Sequence, residues 1–258
     1  MKKLSGNLHV LVTRPNRYAE QLVTLIKKNG MKCVHFPLLN IEPIESPVIE
    51  QQLQTLNDYD AVICISQNAV QYGFEKLHEL SVTPASHLQW FAIGGSTADA
   101  LRAHGLTAVA PEHASTSETL LALPWFADVT RQSVMIWKGV GGRELLEHTL
   151  RDKGAFVDSV ELYRRVMPIY APNELDQVLI EHAIDIIMIT SGEALQNLWQ
   201  LAEDKTRLIN TVLIVPSERV AGQARSLGFH NVLCAKAADD ESMLMCLQQY
   251  QMQTEANA

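Results

Sequence analysis

The sequence has no apolar run long enough to cross a bilayer, and its first residues carry no secretion signal. A membrane-spanning helix needs about 20 consecutive apolar residues, and every apolar run here is much shorter. The opening MKKLSGNLHVLV contains lysines but lacks the apolar stretch and the small-residue cleavage site of a signal peptide. We therefore expect a cytoplasmic protein with no membrane partner.

Cysteine is scarce, and patterns that bind metal are missing. The cysteines Cys33, Cys64, Cys234 and Cys246 form no CxxC pair, which predicts buried, reduced thiols rather than disulfides. The nine histidines show no HExxH motif or other close pairing. A zinc site, and any metal site, is therefore not expected.

Positive charge is also in short supply. Lysine and arginine number 21 against 29 aspartate and glutamate residues, which gives a net charge of −8. A nucleic-acid-binding protein needs a basic face, so no nucleic-acid partner is expected. An anionic small molecule is still compatible with this charge, because local basic groups can bind it within an acidic surface.

Short apolar runs alternate with amphipathic helical patterns along the whole chain. Runs that are apolar on both faces and separated by helices are typical of parallel sheets covered on both sides, so the fold class is α/β. The predicted strands are 8–13, 31–36, 60–66, 90–94, 133–138, 156–163, 185–191, 211–216 and 231–235.

An internal repeat predicts two similar domains. The segment 60–70 resembles 185–195, and 91–106 resembles 213–229 at a nearly constant offset. The β-α-β pattern that opens the chain precedes the first copy of the repeat, but its counterpart at 133–160 follows that first copy. Two domains arranged head to tail would therefore not contain their elements in the same order.

Insertion of one domain into the other resolves the order. Residues 1–36 together with 172–258 then form a discontinuous α/β domain, and 44–161 form the inserted one. The linkers 37–43 and 162–171 are extended and bounded by proline, which disfavours helix there. Two crossing strands could therefore pair side by side.

Eight motifs, in order and covering nearly the whole chain, resemble those of a known family. They are LVTRP (11–15), FPLLNIEP (36–43), ISQNAV (65–70), AIGGSTADAL (92–101), KGVGGRELL (138–146), LYRRV (162–166), ITSGEAL (189–195) and PSERVAGQARSLGF (216–229). Together they look like the bacterial uroporphyrinogen-III synthases.

The resemblance implies a fold, a reaction and partners. The fold would be two similar parallel-sheet α/β domains (flavodoxin-like) joined by a two-stranded linker, in a monomeric enzyme without a cofactor. The reaction would be cyclisation of hydroxymethylbilane, a linear tetrapyrrole held in the interdomain cleft, to uroporphyrinogen III. It inverts ring D and releases water. A transient contact with hydroxymethylbilane synthase is implied as well.

Loops bearing serine or threonine stand where four predicted strands end and helices begin. In open α/β sheets, ligands bind at these carboxyl edges, and a helix N-terminus stabilises a carboxylate by roughly 0.3–1 kcal/mol. Each residue alone is explained as an N-cap, but four loops facing one cleft would bind a polycarboxylate. The residues are Ser66, Asn68, Ser96, Thr97, Ser191, Ser217 and Arg219.

The loop KGVGGRE at 138–144 has two interpretations. Its glycines follow a strand and precede a helix, as in a dinucleotide-binding loop, but Glu144 replaces the third glycine. The favoured alternative is a turn at Gly141 that binds a carboxylate with Lys138 and Arg143 beside it.

Arg14 and Tyr163 complete the predicted site. Arg14 directly follows the first strand, and we expect it to bind substrate rather than to lie on the surface. Tyr163 stands where a strand meets the return linker, and the family resemblance implies a catalytic role for it, against a packed linker aromatic. Arg164 and Arg165 point to opposite sides of an extended segment, so only one can face the substrate.

Two other classes of protein fit parts of the pattern. Two α/β domains with two crossovers also describe a small-molecule binding protein that closes around its ligand. The 138–144 loop would suit a nucleotide-dependent transferase. A bilane-cyclisation assay separates both from the synthase.

Overall fold

The computed structural model describes residues 8–142 and 144–256. Their strands are β1 (His9–Val12), β2 (Lys32–His35), β3 (Asn40–Pro43), β4 (Ala61–Cys64), β5 (Gln89–Ala92), β6 (Ala108–Val109), β7 (Ser133–Gly139), β8 (Phe156–Val166), β9 (Ile186–Met188), β10 (Val212–Val215) and β11 (Val232–Cys234).

The helices of the same residues alternate with these strands. They are α1 (Asn16–Lys28), α2 (Pro47–Gln54), α3 (Gln67–Glu79), α4 (Gly95–Ala103), α5 (Ser117–Leu121), α6 (Leu145–Asp152), α7 (Glu174–Glu181), α8 (Gly192–Leu201), α9 (Lys205–Asn210), α10 (Glu218–Ser226) and α11 (Asp240–Ala256). None of these helices, within the part of the chain that the structure describes, is long and apolar enough to cross a membrane.

The chain divides into two compact units. The first unit combines the residues up to Asn40 with those from Val166 onward, and the second unit is Ile41–Arg165. The segments predicted as linkers, 37–43 and 162–171, are in part sheet: β3 lies in the one, and β8 runs into the other as far as Val166.

The sheet of the first unit is parallel throughout, in the order β11-β10-β9-β1-β2. Leu11 in β1 lies opposite Val34 on one side and Ile187 on the other. Counted along this unit, the strand order is 2-1-3-4-5, the doubly wound order of flavodoxin. The order reverses between β1 and β9, and that is the switch point of the first unit.

The sheet of the second unit follows the order β3-β8-β7-β4-β5-β6. The five strands from β8 to β6 are parallel. If β7 is counted as the first strand, these five strands have the order 2-1-3-4-5, the same as in the first unit. The two units therefore share one strand order, but the chain enters the second unit's sheet at a different strand. The switch point of the second unit lies between β7 and β4.

Helices cover both faces of each sheet, which is why the strands are apolar on both sides. In the first unit, α1 and α11 bury Leu22 and Leu247 against one face, and α7, α8 and α10 bury Leu198 against the other. In the second unit, α2, α3 and α4 bury Leu77 on one side, and α5 and α6 bury Leu150 on the other. The predicted α/β class is confirmed.

All nine predicted strands are present, and the two crossing segments also pair. β3 and β8 are neighbours in the second sheet, and the Ile44 N–H donates to the Leu162 carbonyl at 3.0 Å just past β3. The crossing strand expected within 37–43 is present as β3, and a strand follows the repeated segment 91–106 as β6. β3 lies at the edge of its sheet, and β6 is only two residues long.

Candidate active site

Equivalent serines begin equivalent helices in the two units. Ser66 follows β4, and its Oγ accepts a hydrogen bond from the Ala69 N–H at 3.0 Å. Ser191 follows β9, and its Oγ accepts from the Ala194 N–H at 3.1 Å. Both serines are N-caps, so each satisfies a backbone donor of the first helical turn.

The neighbouring strand of each sheet ends in a similar way. In the second unit α4 begins after Gly94, with Ser96 exposed and Thr97 buried. The Ser96 carbonyl accepts a hydrogen bond from Gln67 Nε2 at 3.1 Å, which links the first turns of α3 and α4. The predicted junctions between strands and helices are confirmed here.

In the first unit, Ser217 is the N-cap position of α10 and Arg219 lies exposed in its first turn. A Cβ added to Gly192 would lie 3.4 Å from Arg219 Nη1. The Arg219 guanidinium therefore reaches the start of the neighbouring helix α8. Two of the predicted loops come together at this edge.

The topology sorts the predicted site residues into two groups, one at the carboxyl edge of each sheet. The first unit carries Arg14, Ser191, Ser217 and Arg219. The second unit carries Ser66, Asn68, Ser96, Thr97, Lys138, Gly141 and Tyr163. The remaining predicted residue, Arg143, lies outside the described residues.

Tyr163 lies inside the second unit, at its switch point. Its side chain is buried, with 4% of its surface exposed. Its hydroxyl is 3.0 Å from Ser66 Oγ, and its ring centroid is 6.0 Å from that of Tyr72. The end of β8 and the end of β4 therefore meet through one hydroxyl–hydroxyl hydrogen bond.

Gly139 makes room for the Tyr163 ring. A Cβ at Gly139 would lie 2.5 Å from Tyr163 Cζ, closer than any real contact. The register of β7 and β8 shifts at this point, between Lys138 and Gly139, which is the local irregularity of a β-bulge. This glycine is explained by the tyrosine rather than by a nucleotide phosphate.

The rest of the glycine loop is a turn that leads to α6. Gly141 and Gly142 have φ angles of 77° and 97°, a left-handed conformation that glycine adopts without strain. The helix that follows has Glu144 at its N-cap and Glu147 in its first turn. The Glu144 carboxylate competes with an anionic ligand for the start of α6, so the dinucleotide interpretation gains no support, and carboxylate binding at Gly141 stays a prediction.

Lys138 lies on the face of the second sheet opposite to Tyr163. Its side chain is 12% exposed, and its Nζ is 3.9 Å from Glu161 Oε1. It borders a pocket of about 300 Å³ within the second unit. The pocket is lined by Ile65, Ile93, Ser115, Thr116, Ser117, Ile136, Lys138, Leu146, Glu147 and Ser159.

Arg14 is engaged by groups of its own unit. Its Nη1 is 2.8 Å from Asp240 Oδ1, and its Nη2 donates to the Ala238 carbonyl. Burial lowers the pKa of Arg14, an effect that the nearby carboxylates of Asp240 and Asp239 oppose. The expected role in binding substrate stays a prediction, since the structure gives this side chain an internal partner.

The remaining candidates lie at the edge of the second unit. Arg164 is exposed and pairs with Glu42 of the adjacent strand, Nη2 to Oε2 at 3.2 Å. Asn68 is half-buried in the first turn of α3. Which of Arg164 and Arg165 meets the substrate stays open.

Sequence reasoning missed two features of these edges. Asp240, the partner of Arg14, is far away in the chain, and no local pattern links the two residues. The Ser115–Ser117 segment lies against the start of α4, because a Cβ at Gly94 would fall 1.9 Å from Ser115 Oγ. The sequence ASTSET contained a signal for it, namely the Thr116 cap of α5.

Two doubly wound units with polar loops at the carboxyl edges define a class of protein, the two-unit parallel α/β proteins that bind ligands at those edges. Within this class, a model of the family described as "Uroporphyrinogen-III synthase HemD" matches residues 20–245. The chain belongs to the uroporphyrinogen-III synthase family.

Curated relatives agree with this family along the chain. A uroporphyrinogen-III synthase of Escherichia coli K12 is 35% identical over 246 residues, which cover 93% of this chain and 100% of the relative. The one from Salmonella typhimurium LT2 is 34% identical over the same shares of both chains.

Solved structures share the fold. A mutant uroporphyrinogen III synthase from the extremely thermophilic bacterium Thermus thermophilus matches with a TM-score of 0.65 at 20% identity, covering 95% of this chain and 99% of that one. A uroporphyrinogen-III synthetase from Helicobacter pylori 26695 gives a TM-score of 0.63 at 16% identity, covering 94% and 99%. The predicted pair of similar α/β domains is confirmed as the fold.

Proposed function

We propose that this protein is a uroporphyrinogen-III synthase. It closes hydroxymethylbilane into uroporphyrinogen III, with inversion of ring D and release of one water. The observation that carries the proposal is the match to the E. coli relative, which spans that protein's entire length. A binding protein and a nucleotide-dependent transferase, the two other classes considered, have no comparable support.

The chemistry asks little of the protein beyond shape control and proton handling. The bilane loses its terminal hydroxyl as water and leaves an azafulvenium-type cation. Attack by the substituted carbon of the last ring gives a spiro intermediate, which fragments and closes again with that ring inverted. Since the bilane also closes unaided without inversion, holding its two ends in the inverting geometry is the main catalytic task.

In this proposal Tyr163 assists departure of the hydroxyl. Ser66 Oγ accepts the Ala69 N–H, so its own proton can be donated to the Tyr163 oxygen 3.0 Å away. The Tyr163 proton is then available to the leaving hydroxyl. We expect a modest contribution of ~10–100-fold, at or below the usual range for general acids.

Several weak sites hold the substrate carboxylates in the same proposal. The helix starts after Ser66, Gly94, Ser191 and Ser217 each offer backbone donors and a favourable dipole. Lys138 and Arg219 add charge beside them. Such dispersed recognition reconciles a substrate of eight carboxylates with a protein of net charge −8.

The monomeric state, the transient contact with hydroxymethylbilane synthase and the cytoplasmic location stay predictions. Cys33, Cys64, Cys234 and Cys246 are free thiols in the structure, which supports a reducing compartment.

The test is a coupled cyclisation assay. Hydroxymethylbilane synthase generates the bilane in situ, and the oxidised products are separated into isomers I and III. We expect isomer III to dominate when the protein is present and isomer I when it is omitted. An isomer ratio equal to that of the uncatalysed closure would disprove the function and return the chain to the class of binding proteins.

A further inference from the structure

The pocket beside Lys138 is built for a ring with acidic side chains. Its walls are aliphatic at Ile65, Ile93, Ile136 and Leu146, while Lys138 lies at the switch point of the sheet. A flat apolar ring could lie against these walls while its charged substituent reaches the ammonium group. Apolar walls with a few convergent polar groups are typical of small-molecule sites.

The size of the pocket limits what can enter. Its volume of about 300 Å³ is at the lower end of ligand pockets, which run from ~300 to ~1,000 Å³. One substituted five-membered ring fits this space, whereas a chain of four linked rings does not. The occupant is therefore one ring of a longer molecule, or a free molecule of that size.

The charged side chains that line the pocket favour a ligand with a carboxylate group. Among the described residues that line the pocket, the basic one is Lys138. The acidic residue Glu147 is already engaged, with Oε1 2.7 Å from Arg151 Nη1 and Oε2 accepting from Ser159 Oγ at 2.7 Å. Glu147 therefore repels an incoming carboxylate only weakly.

The present partner of Lys138 is easily exchanged. Glu161 is 44% exposed, and the distance of 3.9 Å to Lys138 Nζ is too long for a hydrogen bond. A ligand carboxylate could form a direct, charge-assisted bond with Lys138 while Glu161 turns to solvent. Ser115 and Ser117 also line this pocket.

We propose that this pocket is a subsite for a single pyrrole ring carrying carboxylate side chains, with Lys138 as the residue that binds one carboxylate. The proposal rests on the proposed function, because each ring of the bilane bears two such side chains. It adds that one ring is seated within the second unit, apart from Tyr163 on the opposite face of the sheet.

Binding of a lone pyrrole tests the subsite without catalysis. The probe is a monopyrrole with one acetate and one propionate group, titrated into the full-length protein and followed by amide chemical shifts. We expect saturable shifts around Ile65, Ile93 and Leu146. The dimethyl ester of the same pyrrole should bind at least about tenfold more weakly, since it cannot form the charge-assisted bond.

Variants locate the binding group. Lys138→Gln should weaken binding of the acid about tenfold and leave binding of the ester unchanged. Lys28→Gln, at an exposed lysine near the end of α1, is the matched control and should bind like the wild type. Ser117→Phe, which fills the pocket, should abolish the shifts while the thermal unfolding midpoint shows that the protein is folded.

The outcomes separate the subsite from the function. Equal affinity of wild type and Lys138→Gln, or shifts confined to other parts of the protein, would overturn the subsite even if the protein makes isomer III. Lys138-dependent binding by a protein that makes no isomer III would support the subsite while the proposed function fails.

Discussion

At the switch point of the first unit, Arg14 is held by Asp240 and by the carbonyl of Ala238. At the equivalent point of the second unit, Lys138 Nζ is 3.9 Å from Oε1 of the half-exposed Glu161. The two units share strand order and serine caps, yet one edge uses its basic group internally and the other leaves it exchangeable. The same position in a repeated fold can therefore hold its basic side chain in a close ion pair in one copy and in a longer, more exposed contact in the other.

The comparison extends to the strand beside each basic residue. In the second unit this strand brings Tyr163 onto Ser66. In the first unit the equivalent strand ends at His35, whose Nε2 lies 2.8 Å from the Arg14 carbonyl. The two units therefore have similar helix N-termini, which suit any anion. They differ in the side chains that could transfer a proton, which are Tyr163 in the second unit and His35 in the first.

The largest expected effect comes from cutting the chain. We propose that Ile41–Arg165 is an inserted domain that folds on its own, because it contains a complete sheet with both faces covered. A fragment of residues 1–130 should not fold, since it lacks strands of both sheets. Cooperative thermal unfolding of each fragment, followed by circular dichroism, is the measurement. A folded 1–130 with an unfolded 41–165 would refute the proposal.

The second prediction contrasts the two basic residues. Arg14→Met leaves Asp240 nearly buried without its partner and should destabilise the first unit by about 3 kcal/mol. Lys138→Met should change stability by less than about 1 kcal/mol, because its pair is long and partly exposed. Urea unfolding with hydrogen exchange assigns each change to a unit. Equal losses of unfolding free energy in both variants would show that the two basic residues contribute alike to stability.

Tyr163→Phe tests the chemistry of the second edge. We expect kcat to fall ~10-fold or more with KM nearly constant, the pattern of a bond made chiefly in the transition state. Stability should fall by about 1 kcal/mol, because the lost hydroxyl is buried and bonded to Ser66. Unchanged kcat in the coupled assay would make Tyr163 a packing residue.

The paired serine caps provide a matched comparison. Ser66→Ala and Ser191→Ala each remove one N-cap and should each cost about 1 kcal/mol of stability. Only Ser66→Ala should also lower kcat, because it alone loses the hydroxyl that orients Tyr163. Ser66→Thr, which keeps the hydroxyl, should restore kcat. Equal kcat values in the two alanine variants would contradict the role given to Ser66.

The smallest expected effect is a loss of stability in alkali, shared by both units. Burial is the main cause that raises the pKa to about 12 for Tyr59 in the second unit and for Tyr170 in the first. Unfolded tyrosine titrates near 10, so the stabilisation is complete below about pH 10 and is lost as pH rises from there through 12.

Tyrosinate absorbance during an alkaline titration checks this result. Tyr59→Phe and Tyr170→Phe should each remove one late-titrating group. A titration of every tyrosine near pH 10 in the folded protein would contradict the prediction.

Much of the fold follows from local patterns, because a buried parallel strand must be apolar on both faces. The short apolar runs AVIC at β4 and VLIV at β10 therefore predict buried strands. NIEP at β3 lacks this apolar pattern because the edge strand is only partly buried and ends in a proline. It was predicted instead as an extended crossing segment from the prolines that bound it.

The sequence predicted where the candidate site residues lie in the sheets, but not which side chains they contact. The ends of strands predicted where Ser66 and Lys138 lie, since the carboxyl ends of parallel strands meet at one edge. Arg14 was expected to meet substrate because its partner Asp240 is distant in sequence, and only the folded first unit brings them together. The bond between Tyr163 and Ser66 likewise depends on the register of three strands.

Because β1 lies between β2 and β9, its two neighbouring strands are synthesised at very different times. In the folded chain Val10 lies opposite Cys33, which is synthesised soon after it, and opposite Ile186, which is synthesised only after the whole second unit. At ~5–20 residues per second, β1 waits on the order of ten seconds with one edge unpaired. The nascent chain must therefore complete its second sheet while an unfinished apolar edge is exposed to chaperones and to other chains.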